Sequence, residues 1–311
     1  MTAPTESRPV REIHFHVPGF KRYETSEFQQ ADRQQFRSIS LTGSSCALQC
    51  DHCQGQILRG MVPAAGKGRL MEVCRRFAAA GTTGVLVSGG SDRDGRVPLA
   101  AYRHELLQLK EELGLNVLVH TGLVDPETAE ALAAARVDGA LIDVIGSQAT
   151  AEEVYHLNAP PAAFDRSLAL LEEQNVPVLP HIVMGLHYGH FAGEQLALEI
   201  VARHRVAGLV LVALMPLVGT PMESIPPPPL AEMAAFMDRA RAALPASPLI
   251  LGCAGPAGEV KVELERSAID MGLDAIAFPA EATVAYARRK GIQPRFHESC
   301  CGLPWLFGGQ S

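Results

Sequence analysis

The sequence lacks three features that would mark a membrane, exported or nucleic-acid-binding protein. No stretch among its 311 residues approaches the roughly 18 consecutive apolar residues that a membrane-spanning helix needs. Residues 1–8 are polar and lack the apolar segment of a secretory signal peptide. The formal net charge is −7, so there is no excess of basic residues to hold a nucleic acid. We therefore expect a cytoplasmic protein that has no membrane or nucleic-acid partner.

Disulfide bonds are also not expected, although cysteine is present. The chain has seven cysteines, an odd number, and no export signal, and this combination favours metal binding or redox chemistry. Their positions are uneven: Cys46, Cys50 and Cys53 lie within eight residues, Cys300 and Cys301 are adjacent, and Cys74 and Cys253 stand alone.

Eight short runs rich in leucine and β-branched residues alternate with eight helical patterns. The predicted strands are Ser38–Leu41, Val85–Ser88, Asn116–His120, Ala140–Ile145, Val178–Met184, Leu209–Leu214, Leu249–Leu251 and Ala275–Phe278. The predicted helices are Leu70–Ala80, Leu99–Leu113, Pro126–Ala135, Phe164–Gln174, Gly193–His204, Leu230–Leu244, Val260–Met271 and Ala282–Lys290. This alternation predicts a parallel α/β protein. A closed (β/α)8 barrel of the TIM type fits eight units better than an open doubly wound sheet, and it would place the active site at the carboxyl ends of the strands.

One barrel domain is expected at residues 38–290. An N-terminal extension (1–37) precedes it, and a C-terminal tail (291–311) with two of the cysteines follows it. Since 47% of the residues are hydrophobic, the chain has enough apolar residues for a core of this size, which excludes a disordered or fibrous protein.

The strongest chemical signal is the loop after the first barrel strand, Cys46-Ala-Leu-Gln-Cys50-Asp-His-Cys53. Three thiolates at this spacing can bind three corners of a [4Fe–4S] cluster and leave the fourth iron open to another ligand. A structural zinc site that recruits His52 is the alternative, but such sites need four ligands and no second pair lies at the usual distance.

This C-x3-C-x2-C loop, with His52 before its last cysteine, resembles the radical S-adenosylmethionine (SAM) superfamily. The resemblance implies that SAM chelates the open iron and is split by an electron to methionine and a 5′-deoxyadenosyl radical, which abstracts hydrogen from an unactivated carbon. It also implies that His52 lies near the adenine.

Two further segments match positions at which this superfamily binds SAM. Gly89 and Gly90 end the second predicted barrel strand and resemble the family's Gly-Gly-Glu segment, whose backbone meets the SAM amino group. Ser91 replaces the glutamate, and Asp92 follows it. Asp143, near the end of the fourth strand, stands where family members contact the ribose, but an isolated acid there can also cap a helix.

A second group of three cysteines indicates a second, auxiliary iron–sulfur cluster. Cys253 follows the seventh barrel strand and should face the barrel mouth, and Cys300 and Cys301 lie in a tail that can fold across one end of the barrel. The nearby candidates for its fourth ligand are Arg295, His297 and Ser299. A redox disulfide between the adjacent cysteines is the alternative, and Cys74 shares a helical face with apolar residues and is expected in the core.

Most of the chain resembles one biotin-synthase-like radical SAM group, that of the two-protein lipoyl synthase. The resemblance is carried by segments 15–23, 38–43, 50–53, 120–123, 143–146, 153–155 and 251–253 and by the tail cysteines. A classical lipoyl synthase has auxiliary cysteines before the radical loop, and none precedes Cys46 here.

The resemblance implies sulfur insertion into a protein-bound octanoyl chain, with the auxiliary cluster as sulfide donor. The implied partners are an octanoylated carrier protein or lipoyl domain, a homologous second radical SAM subunit, and ferredoxin or flavodoxin as electron donor. The alternatives are a radical SAM methylase or rearrangement enzyme on a small metabolite, and a non-catalytic iron–sulfur partner of a homologue. An octanoyl chain needs an apolar channel, for which the candidates at strand ends are Met184, Leu214, Met215 and Phe278.

Overall fold

The fold is an eleven-stranded parallel sheet wrapped by helices. The structure is a computed structural model and describes residues 11–19, 21–30 and 34–303. Parts of the predicted extension and tail lie outside these ranges. The strands are β1 (Glu12–His16), β2 (Phe36–Ser40), β3 (Val62–Pro63), β4 (Gly84–Ser88), β5 (Asn116–Thr121), β6 (Gly139–Asp143), β7 (Val178–Met184), β8 (Leu209–Ala213), β9 (Leu249–Leu251), β10 (Ala275–Ala277) and β11 (Gln293–His297).

Nine α-helices occur in the described residues. They are α1 (Arg69–Ala79), α2 (Arg103–Glu111), α3 (Pro126–Ala134), α4 (Gln148–Tyr155), α5 (Pro161–Glu173), α6 (Glu194–Val201), α7 (Leu230–Ala243), α8 (Gly258–Asp270) and α9 (Glu281–Arg289). None of the helices in the described ranges is both long and apolar enough to cross a membrane.

The sheet curls into a TIM-type half-barrel, which confirms the predicted fold class. Its strand order is β11-β1-β10-β9-β8-β7-β6-β5-β4-β2-β3, and every pairing is parallel. All eight predicted barrel strands are present, as β2 and β4 to β10. Within the described residues, β3 and β11 are the two ends of the sheet, so the hydrogen-bonded ring is open rather than closed.

Two apolar layers cover the two faces of the sheet. The outer layer lies between the sheet and the helices and contains residues such as Val87, Val119 and Ile142. The inner layer fills the barrel and contains the strand residues of opposite parity, such as Leu118 and Leu141. Because neighbouring residues of a strand point to opposite faces, strands that are apolar at every position must be covered on both sides.

Both ends of the described chain join the sheet beside β10. β1 pairs with β10 on one side and with β11 on the other. The inward-facing His14 and His16 meet His297 of β11: His14 Nδ1 lies 2.9 Å from His297 Nε2, and the His16 and His297 rings stack at 5.0 Å. Burial and the neighbouring His297 lower the pKa of His16 to about 3, so this layer of the barrel stays uncharged at neutral pH.

Candidate functional site

The cysteine loop is a compact turn at the carboxyl end of β2. Two backbone amides, those of Cys53 and Gln54, donate to the Cys50 carbonyl at 3.1 and 2.8 Å. Gln49 and Gln54 both have positive φ, which turns the chain back on itself twice. Ala47 N–H donates to the Ser91 carbonyl at 2.8 Å and thereby ties the loop to the segment after β4.

The glycine pair after β4 packs directly under this loop. A Cβ on Gly90 would lie far inside van der Waals contact of the Ser45 carbonyl oxygen and 2.6 Å from Cys46 Cα. Its amide donates to Thr42 Oγ1 at 2.7 Å. Gly89 is less crowded, since its nearest neighbours would be Thr42 side-chain atoms at 3.1 and 3.2 Å. Only glycine therefore fits at position 90, because the obstacle is backbone that cannot rotate away.

Gly90→Ala should displace the first cysteine of the loop. Inserting a methyl group against backbone usually costs 1 to 3 kcal/mol, and we expect about 3 kcal/mol here in the free energy of unfolding. Iron bound after anaerobic reconstitution should fall with it. The matched control is Gly60→Ala, in the 3-10 helix Gln56–Gly60 just after the loop, where a Cβ meets no atom within 4 Å. Equal iron content and equal urea midpoints for the two variants would contradict this role of Gly90.

The end of α4 fastens the other side of the loop. Asp51 N–H donates to the Val154 carbonyl at 2.8 Å, and the Asp51 carboxylate accepts from Tyr188 Oη at 2.8 Å and contacts His156 Nε2 at 3.0 Å. The second imidazole nitrogen of His156 lies 2.9 Å from the Leu48 carbonyl. Burial and the bond to Asp51 raise the pKa of Tyr188 to about 12, so its hydroxyl remains a donor.

The thiols of the loop are close enough to shift one another's pKa values. The interaction of Cys50 with Cys53 lowers the pKa of Cys53 and raises that of Cys50, and Cys46 raises the pKa of Cys50 further. The Cys50 thiol donates to the Tyr155 carbonyl at 3.9 Å. His52 also lowers the pKa of Cys53, and its ring stands 5.1 Å from the Tyr155 ring. Among the described residues, none forms a hydrogen bond with the buried Nδ1 atom of His52.

These residues fit an iron–sulfur cluster better than a single metal ion. In the described ranges no three His, Cys, Asp or Glu side chains converge closely enough to bind one ion, as a zinc site requires. A [4Fe–4S] cluster instead gives each thiolate its own iron. Three thiols of one loop, with no acidic ligand joining them, match that donor set.

Asp143 lies at the barrel mouth beside the loop, where the sequence places it. It accepts from Tyr155 Oη at 3.1 Å, and His120 Nε2 is 3.7 Å from its other oxygen. The alternative role as a helix cap is wrong, because Ser147 caps α4 by accepting from the Thr150 amide. The half-exposed Asp143 therefore keeps a carboxylate oxygen near the mouth that is not used by secondary structure.

Asp92 does not replace the missing glutamate. Its Oδ1 accepts from the amides of Asp94 and Arg96 at 2.9 and 2.8 Å and so closes its own turn. The Ser91 carbonyl is the group at this position that reaches the cysteine loop.

The cysteines of the second group follow the carboxyl ends of β9 and β11. Cys300 and Cys301 are buried in the inner layer, where their neighbour Gly302 packs against Leu118 and Leu141. Burial, and after it the charge of Cys300, raises the pKa of Cys253 to about 11. The bond to Cys300 and burial raise the pKa of Cys301, and Cys253 adds to this rise. The tail thus enters the barrel and brings its cysteines near Cys253, whose side chain still contacts solvent.

Two of the three candidate fourth ligands are occupied by other partners. Arg295 forms a two-nitrogen ion pair with Glu12, and His297 bonds to His14. Ser299 has its carbonyl 3.3 Å from His16 Nδ1. A residue that the sequence did not indicate is Lys21, whose ammonium lies 4.0 Å from the Phe278 ring centre. Its positive charge partly offsets the rise in the pKa of Cys253.

The predicted apolar channel is only partly supported by the packing. Met184 and Leu214 belong to the outer layer between sheet and helices, so they do not line the interior of the barrel. Phe278 belongs to the inner layer, beside the tail cysteines. Met215 is 45% exposed at the start of the loop after β8.

Comparisons with known proteins identify the fold. No protein-family model matches the sequence, and no curated protein matches it significantly. Similar solved structures include methylornithine synthase (PylB), with a TM-score of 0.54, 14% identity and coverage of 84% of this chain and 82% of that one. The FeFe-hydrogenase maturase HydG from Carboxydothermus hydrogenoformans has a TM-score of 0.57 and 12% identity. The match covers 92% of this chain and 68% of HydG.

SuiB from Streptococcus suis bound to S-adenosylmethionine gives a TM-score of 0.55 and 14% identity over 89% of this chain and 62% of SuiB. The chain therefore spans less than two thirds of that protein's length. At these identities the likeness establishes the fold.

Proposed function

We propose that this protein is a radical SAM enzyme that inserts sulfur into a protein-bound octanoyl chain, as a component of a two-protein lipoyl synthase. The observation that carries the proposal is the presence of two separate groups of three cysteines in one parallel barrel. Cys46, Cys50 and Cys53 form one loop at the carboxyl end of β2. Cys253, after β9, and Cys300 and Cys301, after β11, would form the other group, and the electrostatic influence of Cys300 on Cys253 and of Cys253 on Cys301 supports it.

The first group would hold a [4Fe–4S] cluster, which together with SAM supplies the hydrogen-abstracting 5′-deoxyadenosyl radical. The chain's own contribution is positioning. Gly90 holds Cys46 in place from below, and Asp51 fastens the loop to α4 through Tyr188 and His156. His52 and the Tyr155–Asp143 pair offer an aromatic ring and a carboxylate at the mouth, the groups expected to face the adenine and ribose. The similarity of the fold to SuiB with bound S-adenosylmethionine supports this assignment.

The second group would hold an auxiliary [4Fe–4S] cluster, the source of the sulfide. Burial of Cys300 and Cys301 would keep this sulfur away from bulk water, while the exposure of Cys253 leaves a route for an acyl chain. The proposed partners are an octanoylated carrier protein or lipoyl domain, a homologous second radical SAM subunit, and ferredoxin or flavodoxin.

The test is product identification with anaerobically purified protein. The reaction contains SAM, dithionite and a peptide with one octanoyl-lysine, both with and without the homologous subunit. We expect 5′-deoxyadenosine together with a peptide that has gained one sulfur atom, detected by mass spectrometry. A peptide mixed with the enzyme without SAM is the control.

Other outcomes assign the alternatives. Release of 5′-deoxyadenosine without a sulfur-containing peptide, both with and without the homologous subunit, would contradict sulfur insertion. It would favour a methylase or rearrangement enzyme. No 5′-deoxyadenosine from protein with intact clusters would contradict the enzyme assignment and favour the non-catalytic partner.

A further inference from the structure

Aromatic rings fasten segment 21–30, which follows β1, to the carboxyl end of β10. The centre of the Tyr23 ring lies 6.3 Å from that of Phe278 and 6.5 Å from that of Phe296. Phe28 stacks on Phe296 at 4.4 Å, with the two rings almost parallel. Phe278 directly follows β10. These contacts therefore hold the segment beside the edge of the barrel at which the chemistry of this fold takes place.

Phe278 has an unusual backbone conformation. Its φ is +51°, in the left-handed region that a bulky side chain rarely adopts. Two hydrogen bonds hold it there: its amide donates to the His16 carbonyl at 2.8 Å, and its carbonyl accepts from Lys261 Nζ at 2.9 Å. Such strain persists only where neighbouring groups enforce it, and it concentrates at functional sites. Because β10 pairs with β9, Phe278 and Cys253 follow adjacent strands.

The Phe278 ring contacts an ammonium group that has no anionic partner in the described chain. Lys21 Nζ lies 4.0 Å from the ring centre, which is a cation–π contact. Lys21 forms no ion pair with any described residue, whereas the other nearby cation, Lys261, pairs with the buried Glu265. Two ammonium groups and one carboxylate leave one positive charge uncompensated at this place.

This charge acts on the second cysteine group. Burial and Lys261 lower the pKa of Lys21, whereas Cys253 raises it. Lys21 in turn partly offsets the rise that burial and Cys300 cause in the pKa of Cys253. Both Lys21 and Cys253 are exposed. A cation fixed near thiolates favours the more negative state of whatever those thiolates bind.

We infer that Lys21, seated on the Phe278 ring, raises the reduction potential of the auxiliary cluster proposed on Cys253, Cys300 and Cys301. The inference rests on the proposed function, since only a redox centre on these thiols has a potential to be set. Reduction adds one negative charge to a cluster, and the charge around a cluster is one of the factors that determine its potential. The contribution of Lys21 is its charge, so arginine should replace it and glutamine should not.

A redox titration of the second cluster alone is the first test. The background is Cys46→Ala/Cys50→Ala/Cys53→Ala, combined with Lys21→Gln, with Lys21→Arg or with the control Arg22→Gln. Arg22 is adjacent and already ion-paired, so its loss changes the net charge equally. At a fixed potential, Lys21→Gln should lower the ratio of reduced to oxidised cluster about tenfold, which is about 59 mV for one electron. The other two should stay within about twofold of the background. Equal potentials for Lys21→Gln and Arg22→Gln would overturn the inference.

Thiol labelling of the cluster-free protein tests the position of Lys21 separately. The dianion 5,5′-dithiobis(2-nitrobenzoate) and the neutral 4,4′-dithiodipyridine attack the same thiolate, so the ratio of their rates at Cys253 does not depend on its pKa. Peptide mass spectrometry assigns the labelled site. Lys21→Gln should lower the ratio of the anionic to the neutral rate about threefold at low ionic strength, and salt at about 0.5 M should remove the difference. Arg22→Gln should leave the ratio unchanged.

The two measurements separate this inference from the proposed function. A second cluster whose potential ignores Lys21, or a labelling ratio that does not change, would overturn the inference and leave the proposed function standing. A lower labelling ratio in a protein that binds no second cluster would instead refute the auxiliary cluster of the proposed function, while supporting the position of Lys21 beside Cys253.

Discussion

Wild-type protein purified without oxygen should contain about 8 irons and about 8 sulfides per chain, and Cys46→Ala/Cys50→Ala/Cys53→Ala about 4 of each. The variant should release no detectable 5′-deoxyadenosine, because a cluster without its three thiolates has nothing to hold it in the loop. Iron and acid-labile sulfide analysis measures the first effect, and chromatography after incubation with SAM and dithionite measures the second.

Cys74→Ala is the matched control for this experiment. Cys74 is a fully buried thiol on α1, in the outer apolar layer and outside both cysteine groups. Its replacement removes a small buried group and should leave the iron content unchanged. About 4 irons in the wild type and none in the triple variant would contradict the proposed second cluster and support the first.

The barrel could be predicted because each strand carries its own signal. β7 and β9 have the predicted bounds, and the others differ by no more than two residues at either end. A strand covered on both faces is a short continuous apolar run, which is visible without any knowledge of its neighbours. α4 was missed for the opposite reason: it has eight residues and two adjacent glutamates, and its position depends on contacts with the cysteine loop.

The cysteine loop could be predicted because its spacing is local, whereas the contacts that hold it could not. Asp51 meets Tyr188 across 137 positions, and His156 meets Leu48 across 108. No periodicity links such residues, because the barrel alone decides which loops stand side by side. Asp92 illustrates the same limit, since nothing in the segment itself indicates that its carboxylate closes a turn rather than facing a ligand.

The segments that carry the family resemblance include glycines with a packing reason. A Cβ on Gly122 would collide with the Gly95 carbonyl, and one on Gly146 would collide with the Gly193 carbonyl. Both contacts bring neighbouring loops together at the carboxyl ends of the strands. These glycines therefore shape the mouth of the barrel without touching a ligand, so their presence supports the fold more than the chemistry.

The position of Cys253 could be predicted from the sequence, whereas that of Cys300 and Cys301 depends on packing. The rule that active-site residues follow barrel strands places Cys253 at the mouth. That Cys300 and Cys301 reach it depends on β11 pairing with β1 and on Gly302 fitting against Leu118 and Leu141. A side chain at position 302 would press on those leucines at 3.2 to 3.3 Å, so the small residue lets the tail enter the barrel.

Cys253→Ala should separate radical formation from sulfur transfer. The variant should retain the first cluster and about 4 irons, and its uncoupled release of 5′-deoxyadenosine should stay within about twofold of the wild type. Formation of the sulfur-containing peptide should fall below detection, at least about a hundredfold, because the sulfide source is lost. Cys253 is the best of its group to change, since its side chain is exposed while Cys300 and Cys301 are buried.

Cys300→Ala/Cys301→Ala should likewise keep the uncoupled release of 5′-deoxyadenosine and lose the formation of the sulfur-containing peptide. Its urea midpoint, compared with that of Cys74→Ala, reveals whether loss of two buried thiols has unfolded the tail rather than removed a ligand. A sulfur-containing product made by either variant at the wild-type rate would mean that the sulfur comes from elsewhere. The three cysteines would then be structural or redox groups, and the chain would remain a radical enzyme with a different reaction.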